Sequence, residues 1–155
     1  MRDRLAPGLK LAILSNSTTA SWPDVRRGLE VFDERYMKLD AGDPITFSRI
    51  NGQAITGASI AEIIDALAAL RPVVVQALFV GDREGRVDNS SEGAVEEWLR
   101  AIERIQPEAV HVYTLDRPPA VASLKPLTAR RLREIANHVW TAGVPAIVFP
   151  PATLG

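Results

Sequence analysis

Polar and charged side chains recur where the apolar, strand-like segments of the sequence end. The first two such tips carry Asn16 with Ser17 and the run from Asp40 to Asp43, and the later two carry Gly81 with Asp82 and Asp116 with Arg117. In parallel sheets, ligands bind beyond the carboxyl ends of the strands. Amide, carboxylate and guanidinium groups gathered there could hold a polar small molecule. Each tip alone is also typical of a turn or a helix N-cap, but the four together favour a binding site.

Polar residues also interrupt the strand interiors. Side chains alternate along a strand, so one face of three segments carries the following residues: Tyr36, Lys38 and Asp40; Gln76; His111 and Tyr113. A parallel strand covered by helices on both sides is apolar on both faces. The pattern therefore favours a barrel or partial barrel with a polar interior over an open doubly wound sheet. A solvated edge strand is the alternative for Lys38, and a hydrogen-bonded structural role is the alternative for His111.

Apolar β-rich segments alternate with helical patterns along the whole chain. The strands are predicted at residues 9–15, 36–41, 73–80, 109–115 and 145–149. Helices are predicted after Trp22–Pro23, from Asp43–Pro44 to near Ile50, from the capping box of Ser59 and Glu62, after a cap at 89–91, and from Thr128 to Gly143. This order predicts α/β architecture, with βα units forming one domain over residues 1–155 around a parallel sheet.

Composition excludes several classes of function. The 155 residues are 46% hydrophobic, enough for one core, and the net charge of −1 gives no electrostatic argument for nucleic acid or an anionic membrane. No apolar run approaches the roughly 20 residues of a membrane span, and the amino terminus lacks a signal peptide pattern, so a cytoplasmic protein is expected. The chain has no Cys and two His, so it has no thiol nucleophile and no predicted metal site. Dinucleotide, P-loop and serine-elbow motifs are also missing.

Four segments, taken in order, resemble radical S-adenosylmethionine (radical SAM) proteins. They are "LKLAILSNST", "YMKLDAGDPITFSRIN", "VVVQALFVGD…DNS" and "AVHVYTLDRPPA…LKPLTARRLREIA". The likeness is greatest to the iron–sulfur oxidoreductase branch that is similar to wyosine-type tRNA-modifying enzymes. It implies a partial (βα) barrel of radical SAM type, with S-adenosylmethionine lying across the carboxyl ends of the strands. The four segments would be the family's third to sixth strands.

The resemblance also implies roles for individual residues. Asn16 and Ser17 would lie near the amino acid end of the cofactor, Lys38 and Asp40 would face it from the fourth strand, and Gln76 from the fifth. The backbone after Tyr113 would border the adenine, and Asp116 and Arg117 would lie at the cofactor-side rim. For that last pair, the alternative is a local Asp–Arg contact that holds the turn into the two prolines.

The sequence departs from the family in its cluster chemistry. The family's CxxxCxxC loop and its glycine-rich "GGEP"-like tip are both missing. The expected fold is therefore a barrel lacking its first two strands, and a 4Fe-4S cluster is expected only if a missing segment supplies it. The expected function is a portion of a radical SAM oxidoreductase that is inactive alone. The alternative is a non-catalytic α/β binding or interaction domain that has lost cluster chemistry.

Two kinds of partner follow from that expectation. With two strands missing, residues 9–15 would form a sheet edge with unpaired backbone groups, and apolar edges recruit other strands. A cluster-bearing segment that supplies the strands, or a second copy of the chain, would cover this edge.

Overall fold

Five parallel strands form the central sheet of the protein. The computed structural model describes residues 8–52 and 58–151. The strands follow one another across the sheet in sequence order, as predicted: β1 (Ala12–Ser15), β2 (Glu34–Lys38), β3 (Val74–Leu78), β5 (Ala109–Tyr113) and β7 (Ala146–Phe149). A separate two-stranded antiparallel sheet pairs β4 (Val80–Asp82) with β6 (Leu124–Pro126).

Helices connect the strands, and they begin where the sequence predicts. They are α1 (Pro23–Leu29), α2 (Pro44–Asn51), α3 (Ile60–Ala69), α4 (Glu92–Ile105) and α5 (Ala129–Thr141). The predicted capping box is present, because the Ser59 hydroxyl accepts from the Glu62 N–H and the Glu62 carboxylate accepts from the Ser59 N–H. Ser91 and Thr128 cap α4 and α5 in the same way through their hydroxyls. No helix in the described part of the chain is long and apolar enough to cross a membrane.

The core lies on one face of the sheet only. Met37, Val75, Val110 and Val112 are fully buried there and belong to one cluster with the apolar faces of α3, α4 and α5. The side chains on the other face are half-buried or exposed, and Leu14 is 70% exposed. Among the described residues, helices therefore cover only one side of the sheet, as the polar strand faces predicted. The opposite side is called the open face below.

All five strands of the central sheet are shorter than predicted, and two of the differences bear on the site. β2 is Glu34–Lys38, which is shifted toward the amino terminus relative to the predicted 36–41. The predicted strand 73–80 ends at Leu78, and Val80 starts β4 in the second sheet. The break occurs because the amide of Asn89 binds the Leu78 carbonyl and the Val80 N–H. In a longer strand, these two backbone groups would bind neighbouring strands instead.

The two-stranded sheet was not predicted, and it corrects the interpretation of Gly81 and Asp82 as a ligand-facing tip. Asp82 is buried, and its carboxylate accepts hydrogen bonds from the N–H groups of Glu84, Arg86 and Val87. These backbone bonds lower the pKa of Asp82 to about 2. Asp82 therefore uses its carboxylate to close a turn.

Candidate functional site

Three predicted polar side chains form one row across the open face. The register pairs Lys38 with Gln76, and Gln76 with His111, on adjacent strands β2, β3 and β5. Side chains of directly paired residues point to the same side of a sheet, so the three are neighbours. All three are half-buried. The row therefore places an ammonium, an amide and an imidazole side by side, at the end of β2 and in the middle of β3 and β5.

Asp40 is a buried carboxylate at the end of β2, and it binds Lys38. Its Oδ2 lies 3.0 Å from Lys38 Nζ, and its Oδ1 accepts a 2.8 Å hydrogen bond from the Leu78 N–H. The Asp40 side chain is 2% exposed, whereas that of Lys38 is 36% exposed. Burial raises the pKa of Asp40, although Lys38 and the Leu78 N–H oppose this shift. In this pair the Lys38 amine is accessible to solvent, and its carboxyl partner is buried.

Asn89 supports this site and was not predicted as a site residue. Its Nδ2 donates to the carbonyls of Asp40 (2.8 Å) and Leu78 (2.7 Å), and its Oδ1 accepts from the Val80 N–H (2.9 Å). The amide is buried and joins the ends of β2 and β3 to the start of β4. Its sequence signal was the cap region before α4, which predicts a turn but does not identify the distant backbone groups that the amide binds.

Asn16 and Ser17 lie at the end of β1, in different environments. Asn16 is exposed and its Oδ1 accepts from the backbone N–H and the hydroxyl of Thr18. Ser17 is fully buried, has φ of 67°, and its Oγ has no hydrogen-bond partner among the described residues. A non-glycine residue in the left-handed region and an orphaned buried hydroxyl are both unusual, and such strain is concentrated at functional sites.

Aromatic rings line the open face beside the polar row. The His111 ring lies 5.7 Å from that of Tyr36 and 5.1 Å from that of Phe149, centroid to centroid. The ring of His111 makes these contacts and no hydrogen bond to a described residue, and the hydrogen-bonded structural role considered for it stays a prediction. Burial lowers the pKa of His111, and burial with the nearby Asp40 charge raises the pKa of Tyr113 to about 12. Both side chains are therefore neutral at physiological pH.

The predicted residues fall into adjoining depressions at the carboxyl end of the sheet. Asn16, Lys38 and Asp40 line a small one of about 10 Å³. A larger concavity of about 510 Å³, called the central cavity below, has these lining residues: Gln76, His111, Tyr113, Thr114, Asp116, Phe149 and Pro150. Arg117 lines a third depression, which shares Asp116 with the central cavity. Seven of the eight predicted residues thus line these depressions (three, three and one), and Ser17 is buried behind the first.

Metal ligation has little support in this chain. No group of three His, Asp or Glu side chains is placed to hold a metal ion among residues 8–52 and 58–151. The sequence contains no Cys, so it offers no thiolate for an iron–sulfur cluster. The site is suited to a polar organic ligand that carries both charge and hydrogen-bonding groups.

Comparison with known proteins identifies the fold. No protein-family model and no curated protein matches the sequence. A radical SAM methyltransferase from Sphaerobacter thermophilus matches with a TM-score of 0.66 and 20% identity, over 89% of this chain and 39% of that protein. A domain of the pyruvate-formate lyase-activating enzyme from Bacteroides vulgatus ATCC 8482 matches with a TM-score of 0.66 and 13% identity, over 92% of this chain and 82% of that one.

The similarity to these two solved structures concerns the fold of the chain. The chain spans 39% of the length of the Sphaerobacter enzyme, and identities of 20% and 13% are too low to transfer an activity. The resemblance predicted from "KLDAG", "QALFV" and "TLDRPPA" is confirmed at the level of the fold. The one-sided parallel sheet built from βα units is a partial barrel of the radical SAM fold.

Proposed function

We propose that this chain forms the S-adenosylmethionine-binding side of a radical SAM barrel and that its ligand lies across the carboxyl ends of β1, β2, β3 and β5. The observation that carries the proposal is the row of Lys38, Gln76 and His111 on the open face of a sheet with this fold. A helix-covered sheet would not keep three polar groups on one face. The row begins at Lys38, at the carboxyl end of β2, and α/β folds bind their ligands at the carboxyl ends of their strands.

The residues present fit the polar groups of S-adenosylmethionine. Lys38 supplies a positive charge for a carboxylate, and the amides of Asn16 and Gln76 supply hydrogen-bonding groups. The central cavity has aromatic walls, which suit the flat adenine. In enzymes that use it with a reduced cluster, S-adenosylmethionine supplies radical chemistry; the residues of this chain bind and orient it.

The residues present do not fit an iron–sulfur cluster. Such clusters are held by cysteine thiolates, and the chain has none. No reaction step through a cluster is therefore assigned to this chain. Oxidoreductase activity would need a second polypeptide or segment that carries the cluster.

A non-catalytic binding domain is the second candidate function. The complete lack of cysteine favours it, because that lack removes the reductive chemistry and leaves the ligand site intact. Both candidates require that the central cavity and its polar row bind an adenosyl ligand. They differ in whether a cluster-bearing partner restores turnover.

Binding of S-adenosylhomocysteine tests the proposal, because this ligand needs no cluster. We expect saturable binding by calorimetry, weakened about tenfold in Lys38→Met, as expected when a charge-assisted hydrogen bond is lost. Lys10→Met is the matched control, because Lys10 is 75% exposed and pairs with Glu34 near the opposite end of the sheet. Equal affinity of the two variants, or no binding by the unmodified chain, would contradict the proposal.

A further inference from the structure

A proline-walled groove lies next to the central cavity, at the end of β5. Leu115, Pro118, Pro119, Pro126 and Pro151 form its walls and enclose about 270 Å³. Asp116 lines both this groove and the central cavity, so the two spaces are adjacent. The groove is called the proline groove below.

Its walls are preorganised. A proline ring fixes the backbone φ angle, so the four prolines lose little freedom when a ligand binds. Pro126 belongs to β6, which is held in place by Thr114: its Oγ1 donates to the Phe79 carbonyl (2.7 Å) and accepts from the Leu127 N–H (2.9 Å). The wall at Pro126 is therefore held by the second sheet. Most of the other walls belong to the loop after β5, whose prolines restrict its backbone.

The groove has one cationic side chain among its lining residues. Arg117 is exposed and makes no hydrogen bond or ion pair with another residue in the described ranges. A guanidinium in this state can bind a carboxylate through two parallel hydrogen bonds. The polarised C–H groups of pyrrolidine rings pack favourably on the electron-rich face of an aromatic ring.

We propose that the proline groove binds an aromatic carboxylate, with its ring against the prolines and its carboxylate on Arg117. We further infer that this molecule is the substrate class of the adenosyl site, an assignment that rests on the proposed function. The shared wall at Asp116 carries that step, since a ligand in the groove lies beside a ligand in the central cavity.

Equilibrium dialysis of the full chain with 3-phenylpropionate tests the binding proposal. We expect saturable binding that is weakened roughly fivefold in Arg117→Gln, as for an exposed charge pair. Arg130→Gln is the matched control, because Arg130 is 87% exposed on α5 and should leave binding unchanged. We expect 3-cyclohexylpropionate, which lacks the aromatic face, to bind about threefold more weakly. Neutral 3-phenylpropanamide should bind the unmodified chain about as weakly as 3-phenylpropionate binds Arg117→Gln.

The proposal is overturned if 3-phenylpropionate does not bind, if the two arginine variants bind it equally, or if the cyclohexyl or amide analogue binds as tightly. Titration of S-adenosylhomocysteine on the same preparation separates the two proposals. If it binds and 3-phenylpropionate does not, the proposed function stands and the groove assignment fails. If only 3-phenylpropionate binds, and depends on Arg117, the groove assignment stands and the proposed function fails.

Discussion

At the scale of single residues, Asn89 joins three segments of backbone near the candidate site. Its buried amide makes three hydrogen bonds to backbone groups of Asp40, Leu78 and Val80. Truncation would leave buried carbonyl and N–H groups without partners, which costs more than the bonds themselves contribute.

We therefore expect Asn89→Ala to lower the free energy of unfolding by about 2–4 kcal/mol. Urea denaturation followed by circular dichroism measures this loss. Asn137→Ala removes an exposed amide on α5 and should change stability by less than about 0.5 kcal/mol. Similar stabilities for the two variants would contradict the role assigned to Asn89.

Asp40 gives a prediction about pH. Burial raises its pKa above the ordinary value of 3.8, so the folded chain binds this proton more tightly than the unfolded chain. The contribution of Asp40 to stability is therefore greatest below about pH 3.8 and is lost as the pH rises from there through the raised pKa. The Asp40→Asn variant lacks this pH dependence. We therefore expect the difference in unfolding free energy, variant minus unmodified chain, to increase as the pH rises through that window.

Asp43 provides a control of opposite sign on the same loop. Partial burial raises its pKa, but hydrogen bonds from Thr46 and Ile45 outweigh this and lower it below 3.8. Its stabilising contribution is thus present above 3.8 and lost as the pH falls. For Asp43→Asn, the unfolding free energy of the variant minus that of the unmodified chain should decrease as the pH rises toward 3.8. Chemical denaturation at a series of pH values measures both curves, and slopes of the same sign would contradict the assignment.

Residue types and alternation predicted part of the site. Lys38, Gln76 and His111 share a face because side chains alternate along each strand, and that is a local property. The role of Asn89 could not be predicted, because its amide binds the carbonyl of Asp40, which only the folded chain brings near. The carboxylate of Asp82 binds N–H groups of the turn that follows it, a local role that its position at a strand tip did not separate from ligand binding. The left-handed backbone at Ser17 likewise has no signal in its residue type.

At the scale of elements, the loop from β2 to α2 packs directly against α4. The backbone of Gly42 approaches α4 so closely that a Cβ there would overlap the carbonyl of Glu97. The indole N–H of Trp98 also donates to the Leu39 carbonyl (2.9 Å), so α4 binds the end of β2 at two points. This contact holds Asp40 in place from the helical side.

Gly42→Ala should therefore be destabilising by about 1–3 kcal/mol, because helix and loop must separate to admit the methyl group. Gly28→Ala is the matched control, since a Cβ at Gly28 meets nothing within 4 Å and the residue lies in α1. That change should stabilise the chain by up to about 1 kcal/mol. Thermal unfolding of both variants tests the close approach, and a neutral Gly42→Ala would refute it.

Helix positions were predictable from sequence to a degree that strand pairing was not. Capping residues and apolar periodicity are local signals, and they gave the starts of α3, α4 and α5. The pairing of β4 with β6 joins short segments far apart in the chain, with no alternation long enough to indicate a strand. The buried hydroxyl of Thr114 holds β6 in place. The sequence pattern around Thr114 predicted a continuation of the strand and gave no sign of this role.

At the scale of the whole molecule, the open face is the feature that defines the protein. Leu14, Ile147 and Phe149 are about half exposed or more on that face. Exposed apolar surface of this kind favours association. The partner expected from the sequence, a cluster-bearing segment or a second copy of the chain, was predicted to cover the β1 edge of the sheet, so association through the open face is a separate prediction.

We expect the purified chain to self-associate, and we expect Leu14→Lys with Ile147→Lys to shift it toward monomer in sedimentation velocity. Trp140→Lys is the control, because Trp140 is equally exposed on α5, which belongs to the helical side. The open face is not the associating surface if the control dissociates the chain as well as the double variant does.

The central claim is that the carboxyl end of the open face binds an adenosyl ligand, and amide chemical-shift mapping with S-adenosylhomocysteine tests it most directly. The account predicts saturable shifts at the ends of β2, β3 and β5, near Asp40, Leu78 and Tyr113, and none on the outer surfaces of α3 and α5. Shifts confined to the helical side, or no shifts at saturating ligand, would contradict it.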